Sequence, residues 1–339
     1  MHDIYGDIKM AATVKDVAKL ADVSTATVSR VINDDPRISD RTRKKVLECI
    51  KELDYKINNI ARSLKTNKTY TIGFICPELA NNFFMSVAKG VEDELRKHGY
   101  SVIVCNSNES IEEEKERFKL MAEKCVDGMI IIPATNDGDH FNVFKDMNIP
   151  VVLVDRLVEG FSADAVLVDN INGCYSAIEF LINQGRRRIG FIGGDMRLTS
   201  ARERYEGYER ALSDFNIPLE KSIVKFGDFH AQSGYDLMKQ LVEDEEPPEC
   251  VFISNYFMHI GATRYLIEKK ATFDSSISIA SFDDMELISI LGFSNVIVDQ
   301  PIQEIGFKAA QLLLERINGI ENIYPQIIRL KTSLNIKDN

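Results

Sequence analysis

The sequence has no apolar run near the ~20 residues that a membrane-crossing helix needs, and its charged start, MHDIYGDIK, has no signal-peptide core. A soluble chain acting in the cytoplasm is expected. The six cysteines, Cys49, Cys76, Cys105, Cys125, Cys174 and Cys250, stand far apart without a CxxC pair and mostly within apolar runs. That excludes a patterned disulfide or metal framework and predicts buried, reduced thiols. Five scattered histidines form no HExxH, so no metal site is expected. GxGxxG, GxxxxGK[ST] and GxSxG are all absent; FIGGD at 191–195 has paired glycines after a strand but lacks the third. Neither an enzyme nor a cofactor is expected.

A net charge of −11 over 339 residues argues, taken whole, against nucleic acid. Divided, it argues the reverse: residues 13–69 hold 13 Lys and Arg against 8 Asp and Glu, residues 70–339 hold 27 against 42. Only the head is attracted to phosphate. The length suits a small domain plus one or two larger ones.

In the head, Val17, Ala18, Ala21, Val23, Val28, Val31 and Ile32 recur at three- and four-residue spacing across a break at Asp22, so two short helices share a buried face. Thr13, Ser24 and Ser39 each stand where a hydroxyl caps a first turn. Three helices are expected, at 15–21, 25–33 and 40–53. The second turns Thr25, Ala26, Ser29, Arg30 and Asn33 away from Val28 and Val31, with Thr27 beside them. Short side chains there allow close approach to base edges, and an arginine one turn on can bond guanine twice. A small helical domain with a solvated outer face has the same periodicity.

The runs VSTATVSRVIN, RISDRTRKKV and NNIARSLKT resemble the amino-terminal domain of the LacI-type (lactose and galactose repressor) family of bacterial transcription regulators. Residues 1–12 show no pattern and are expected to be a mobile tail; the resemblance implies a helix-turn-helix domain at 13–57 and, at 58–69, a linker with a hinge helix that folds on the operator. It also implies that Asn58 and Leu64 touch DNA, Leu64 as a minor-groove wedge. Ile57 stands where the family usually has proline, which leaves the start of the hinge less defined. Lys15, Arg41, Arg43 and Lys44 are expected to hold phosphate.

From Thr71, apolar strands alternate with amphipathic helices: 71–76, 100–105, 127–132, 150–155, 188–194, 249–254, 277–283 and 295–299. Continuous apolar strands between helices imply parallel sheets covered on both faces. Eight such units could close a TIM barrel, but 167–195 reads as the start of a second half. The family resemblance implies an α/β periplasmic-binding-protein-like core at 70–339, with two Rossmann-like lobes of parallel sheets behind the α helix-turn-helix domain. The expected N-lobe covers 70–166 and 299–325, the C-lobe 167–298 and 326–339.

Ligands of parallel sheets bind at the carboxyl ends of strands, where this chain gathers polar residues. Asn81, Phe83 and Phe84 follow the first strand, and Asp155 with Arg156 the fourth. Arg204 lies in TSARERYEGY, Phe229 in GDFHAQSGY, Asn255 after the sixth strand, Asp283 in SFDD and Gln300 in VDQP. Each resembles a ligand-contacting position of the family, although Asn82, Tyr256 and Ser281 depart from its pattern. Singly such residues are more often strand-end caps or surface ion pairs; in order at successive strand ends they outline a pocket. Asp155 and Asp283 could in principle serve acid–base chemistry, but binding sugars needs the same residue types without cleaving a bond.

The resemblance implies a homodimeric repressor on a near-palindromic operator, controlled by a small effector between the lobes, a sugar or sugar acid. Dimerisation is expected chiefly through 84–98, and without a heptad run after Pro325 no tetramer is expected. Two alternatives are a sugar-binding receptor acting through protein partners and a global regulator answering to a phosphorylated carrier protein.

Overall fold

A computed structural model describes residues 12–32, 35–55, 68–269, 277–283, 294–320 and 325–336. The chain divides into two compact units, Met1–Thr69 and Tyr70–Asn339.

In the first unit, α1 (Val14–Leu20), α2 (Thr25–Ile32) and α3 (Asp40–Glu52) lie within a residue of the expected helices. Thr13 and Asp16 form a reciprocal capping box. Ser24 Oγ accepts from the Thr27 amide at 3.1 Å, and Ser39 Oγ from that of Thr42 at 3.3 Å. Asp22, at φ +50°, makes the break between α1 and α2. The core is small: Val17, Ala18, Ala21, Val28, Val31, Val46 and Cys49.

The second unit contains two six-stranded sheets, which rules out the barrel. The first, in the order β11-β5-β4-β3-β1-β2, comprises β1 (Thr71–Cys76), β2 (Ser101–Asn106), β3 (Gly128–Ile131), β4 (Val151–Val154), β5 (Asp164–Val168) and β11 (Ile327–Leu330). It is parallel throughout and covered by α4 (Asn82–Lys97), α5 (Ile111–Glu123), α6 (Val143–Met147) and α11 (Ile302–Ile317). The second, in the order β12-β10-β9-β8-β6-β7, comprises β6 (Ile189–Gly193), β7 (Val224–Phe226), β8 (Cys250–Ile253), β9 (Ser278–Phe282), β10 (Ser294–Asp299) and β12 (Ser333–Ile336). Its helices are α7 (Asn170–Asn183), α8 (Thr199–Asp214), α9 (Ala231–Val242) and α10 (Tyr256–Lys269); only the β10–β12 pair is antiparallel.

Two lobe boundaries need correction. Residues 326–330 belong to the N-lobe, because β11 pairs with β5, Ile327 opposite Ala165. Asp164, fully buried at the start of β5, holds that strand by accepting from the Gln326 amide at 2.7 Å and from Arg316 Nε at 2.6 Å. The third crossing between lobes is therefore Lys331–Thr332 rather than near 325. The first, expected near 166, falls at Asp169, where β5 ends and α7 begins. The second follows β10, at Gln300–Pro301. All six thiols are free; Cys49, Cys76, Cys174 and Cys250 are buried as expected, whereas Cys105 is half-buried and Cys125 exposed. Burial pushes Cys76 and Cys250 up to about 12, which leaves them inert.

Candidate ligand cleft and nucleic-acid interface

The strand ends of the two sheets converge on a cleft. All ten candidates line it: Asn81, Phe83, Phe84, Asp155, Arg156, Arg204, Phe229, Asn255, Asp283 and Gln300. Asp155 and Asp283 each follow the last residue of a strand, β4 and β9, in left-handed backbone at φ +66° and +71°. That turn takes the chain out of the sheet and puts the carboxylate at the cleft. Phe229 shares the conformation at φ +69°. A residue held there stores about 1–3 kcal/mol of strain, a cost found where geometry serves function.

Several side chains have tasks that the sequence did not reveal. Arg204, buried, donates Nε to Asn170 Oδ1 at 2.9 Å and Nη1 to the Ser254 carbonyl at 2.5 Å, and its guanidinium lies 3.8 Å over the Phe282 ring. Only Nη2 lacks a partner among the described residues, so most of the guanidinium of Arg204 is directed inward. Arg156 donates Nε to Asp155 and Nη1 to the Pro133 carbonyl, both at 3.1 Å. Asn255 donates Nδ2 to the Phe229 carbonyl at 2.9 Å and accepts from the Met258 amide at 3.0 Å. It secures Phe229 and starts α10; both ends of its amide are taken. Asn81 caps α4 through the Phe83 amide.

Gln300 donates Nε2 to Asp283 Oδ1, while its Oε1 is buried without a hydrogen-bond partner among the described residues. A buried, unmatched acceptor at a cleft is the kind of group a ligand hydroxyl satisfies. Burial raises the Asp283 carboxyl above its ordinary value, with Asp155 acting the same way; Arg204 and the Gln300 bond oppose it. A carboxyl raised in the folded state contributes stability that is complete below its unfolded value and lost as pH rises through the folded one. Asp283→Asn should therefore melt at a higher temperature than the unsubstituted chain at neutral pH, the gap closing as pH falls to about 4. Melting curves across that pH range test it; a constant gap would mean that the charge is not the cause.

The paired glycines of FIGGD have a steric role. A Cβ on Gly194 would lie 2.1 Å from Cζ of Phe229, whose ring rests on the bare backbone. Overpacking costs about 1–3 kcal/mol, so Gly194→Ala should lower the melting temperature by roughly 2–10 °C. Adding Phe229→Ala should recover most of that loss, and strictly additive losses would count against the contact.

Tyr256, noted above as a departure, also lines the cleft, and six lining residues were not anticipated: Glu78, Glu109, Ser200, His230, Phe257 and Ile302. Glu78 and Glu109 follow β1 and β2, so the strand-end rule could have found them. The Asp228 carbonyl, 2.9 Å from Nδ1, raises His230, and Glu109 adds to it from 3.9 Å across the cleft. Glu109 is itself raised by burial, Glu78 and Asp228 adding to it against Arg156 and His230. Among the described residues no group of three His, Cys, Asp or Glu side chains is arranged to hold a metal.

On the head, Thr25, Ala26 and Arg30 are exposed on α2, with Val28 and Val31 buried behind them. Ser29 is half-buried. The Thr27 hydroxyl is engaged with Ser24 Oγ at 2.9 Å and serves the cap. Arg43 donates Nη2 to the Asp35 carbonyl, tying the loop before α3. Asn33, Asn58 and Leu64 lie outside the described residues, as does Ile57.

A helix-turn-helix head joined to a two-lobed core that encloses a polar and aromatic cleft defines a ligand-responsive DNA-binding protein. The comparisons agree: residues 13–58 match the model of bacterial regulatory proteins of the lacI family, and residues 69–332 that of periplasmic binding proteins and the sugar-binding domain of the LacI family. The HTH-type transcriptional regulator RegA of Clostridium saccharobutylicum is 32% identical over 320 residues, 94% of this chain and 96% of the relative. The Lac repressor dimer bound to operator and the anti-inducer ONPF is 25% identical at TM-score 0.83, covering 97% of this chain and 98% of that one. The transcriptional regulator CelR in complex with cellobiose is 28% identical at TM-score 0.73, covering 96% and 98%. The chain belongs to the LacI family: it is a DNA-binding transcriptional repressor with an effector-binding core. No helix among the described residues is long and apolar enough to cross a membrane.

Proposed function

We propose that the effector is a neutral sugar of monosaccharide size, bound by the ten cleft residues, and that the chain acts in the cytoplasm as a homodimer on a near-palindromic operator, without catalysis. The carrying observation is the set of acceptors at the cleft. Asp155, Asp283 and Gln300, whose Oε1 has no partner among the described residues, line the cleft together with Phe83, Phe84 and Phe229, so hydroxyl donors find acceptors while ring faces find aromatic surface. The two arginines support a sugar acid less than their presence in the sequence suggested. Two nitrogens of each are bonded within the protein, and the carboxylates of Glu78, Glu109, Asp155 and Asp283 surround the cleft.

Thr25, Ala26, Ser29 and Arg30 would read base edges, and Lys15, Arg41 and Lys44 would hold phosphate with an affinity that falls as salt rises. An effector that favours one lobe arrangement changes operator affinity by its difference in affinity for the two arrangements. A thermal-shift panel of neutral aldoses and their acids on the full chain tests the effector class. A ligand at about 100 times its Kd adds roughly 2.7 kcal/mol, so an aldose should raise the melting temperature by several degrees and its acid by less. A rise with the acids alone would reverse the assignment, and no rise with any sugar would remove sugars from it.

A further inference from the structure

We infer that Asn170, Glu203 and Arg329 are positioning residues that connect the cleft to the crossings between the lobes. The inference rests on the cleft as ligand site, but its test needs no ligand, so it stands or falls apart from the choice of a sugar.

The connection begins at Arg204. Its Nε donates to Oδ1 of Asn170, the buried first residue of α7, directly after the first crossing. Asn170 in turn donates Nδ2 to Glu203 Oε2 at 3.0 Å. Glu203 sits beside Arg204 on α8 of the C-lobe, yet its carboxylate is gripped by Arg329 of β11 in the N-lobe. Arg329 Nη1 and Nη2 approach Oε2 and Oε1 at 3.1 and 2.7 Å. Arg329 is two residues before the third crossing, and the first and third crossings are stitched by the Asp169 amide on the Leu330 carbonyl at 2.9 Å. At the second crossing, Gln300 donates to Asp283, the neighbour of Phe282, over whose ring the Arg204 guanidinium lies at 3.8 Å. Every crossing is thus bonded to Arg204 or Asp283, directly or through one or two intermediates.

These bonds constrain one another. An amide has a donor end and an acceptor end, so Asn170 satisfies Glu203 and Arg204 together in a single orientation. A bidentate guanidinium–carboxylate pair fixes direction as well as distance. Because a buried donor or acceptor left unmatched is costly, a shift of Arg204 toward a ligand is accompanied by movement of Asn170 and Glu203. Rotation of β11 against α8 is felt at Arg204 by the same route. A network with only collective rearrangements is the physical requirement for coupling, and an isolated structural ion pair does not meet it.

Hydrogen exchange of the full chain without ligand, read by mass spectrometry, tests the connection. Glu203→Gln keeps shape and removes the charge; Arg329→Met removes the grip. Both should speed exchange about fivefold or more at the first and third crossings, and also at residues 281–283 and 298–302 across the cleft. Arg329→Lys should recover part of the protection. Arg204→Met should open the same segments, and the Glu203→Gln/Arg204→Met double substitution should open them no further. Acceleration confined to α8 and β11, or additive acceleration in the double variant, overturns the inference. If Arg329→Met exchanges everywhere through loss of the fold, Glu203→Gln and Arg329→Lys decide the outcome.

Discussion

A Val28→Asp chain should lose duplex binding by ~100-fold or more while the core unit melts where it did before. Val28 is fully buried, in a core whose other members are Val17, Ala18, Ala21, Val31, Val46 and Cys49. Small domains hold only about 0.1 kcal/mol of stability per residue, and an unpaired buried carboxylate costs several kcal/mol. The recognition helix could not persist, because a helix of eight residues has no stability of its own in water. Titration of a duplex selected by the unsubstituted chain, alongside calorimetry, reads both effects. Retained binding would mean that α2 does not rest on this core.

The second large effect is expected at Arg204. Arg204→Met leaves the Asn170 Oδ1 and the Ser254 carbonyl without their donor and removes the cation that offsets Asp283. Breaking a buried charge-assisted set costs about 3–5 kcal/mol, or roughly 6–20 °C of melting temperature at this size. Any sugar that stabilises the unsubstituted chain should stabilise this variant far less. Arg204→Lys should not restore the response, since an ammonium cannot stack on Phe282 while donating in two fixed directions. A lysine variant with the full response would show that charge alone is required.

Much of this was legible because the signals are local. Thr13, Ser24 and Ser39 cap helices through bonds that span three residues, so spacing along the chain carries the information. The same holds for strands such as Gly128–Ile131 and Cys250–Ile253, apolar throughout because both faces of a parallel sheet are covered. Four strands escaped notice. β7 has three residues and lies at an edge; β11 and β12 have four each and are partly exposed. β5, at Asp164–Val168, straddles the expected lobe boundary at 166–167. β11 joins the N-lobe only because Asp164, Arg316 and Gln326 meet there, residues far apart in the chain.

In the cleft, residue positions were readable and their tasks were not. Asn255 and Arg204 were expected to meet a ligand, yet their bonds run largely inward, and Glu203 and Arg329 drew no notice.

By itself the sequence determined a cationic head with a buried helical seam, an anionic α/β body and polar groups after successive strands, since each depends on neighbours a few residues apart. Only the tertiary structure decided which lobe owns β11, which donors are already engaged, and how the crossings are bonded to the cleft. Those outcomes depend on pairs distant in sequence, and hydrogen-bond capacity is used up by whichever partner the fold brings within 3 Å.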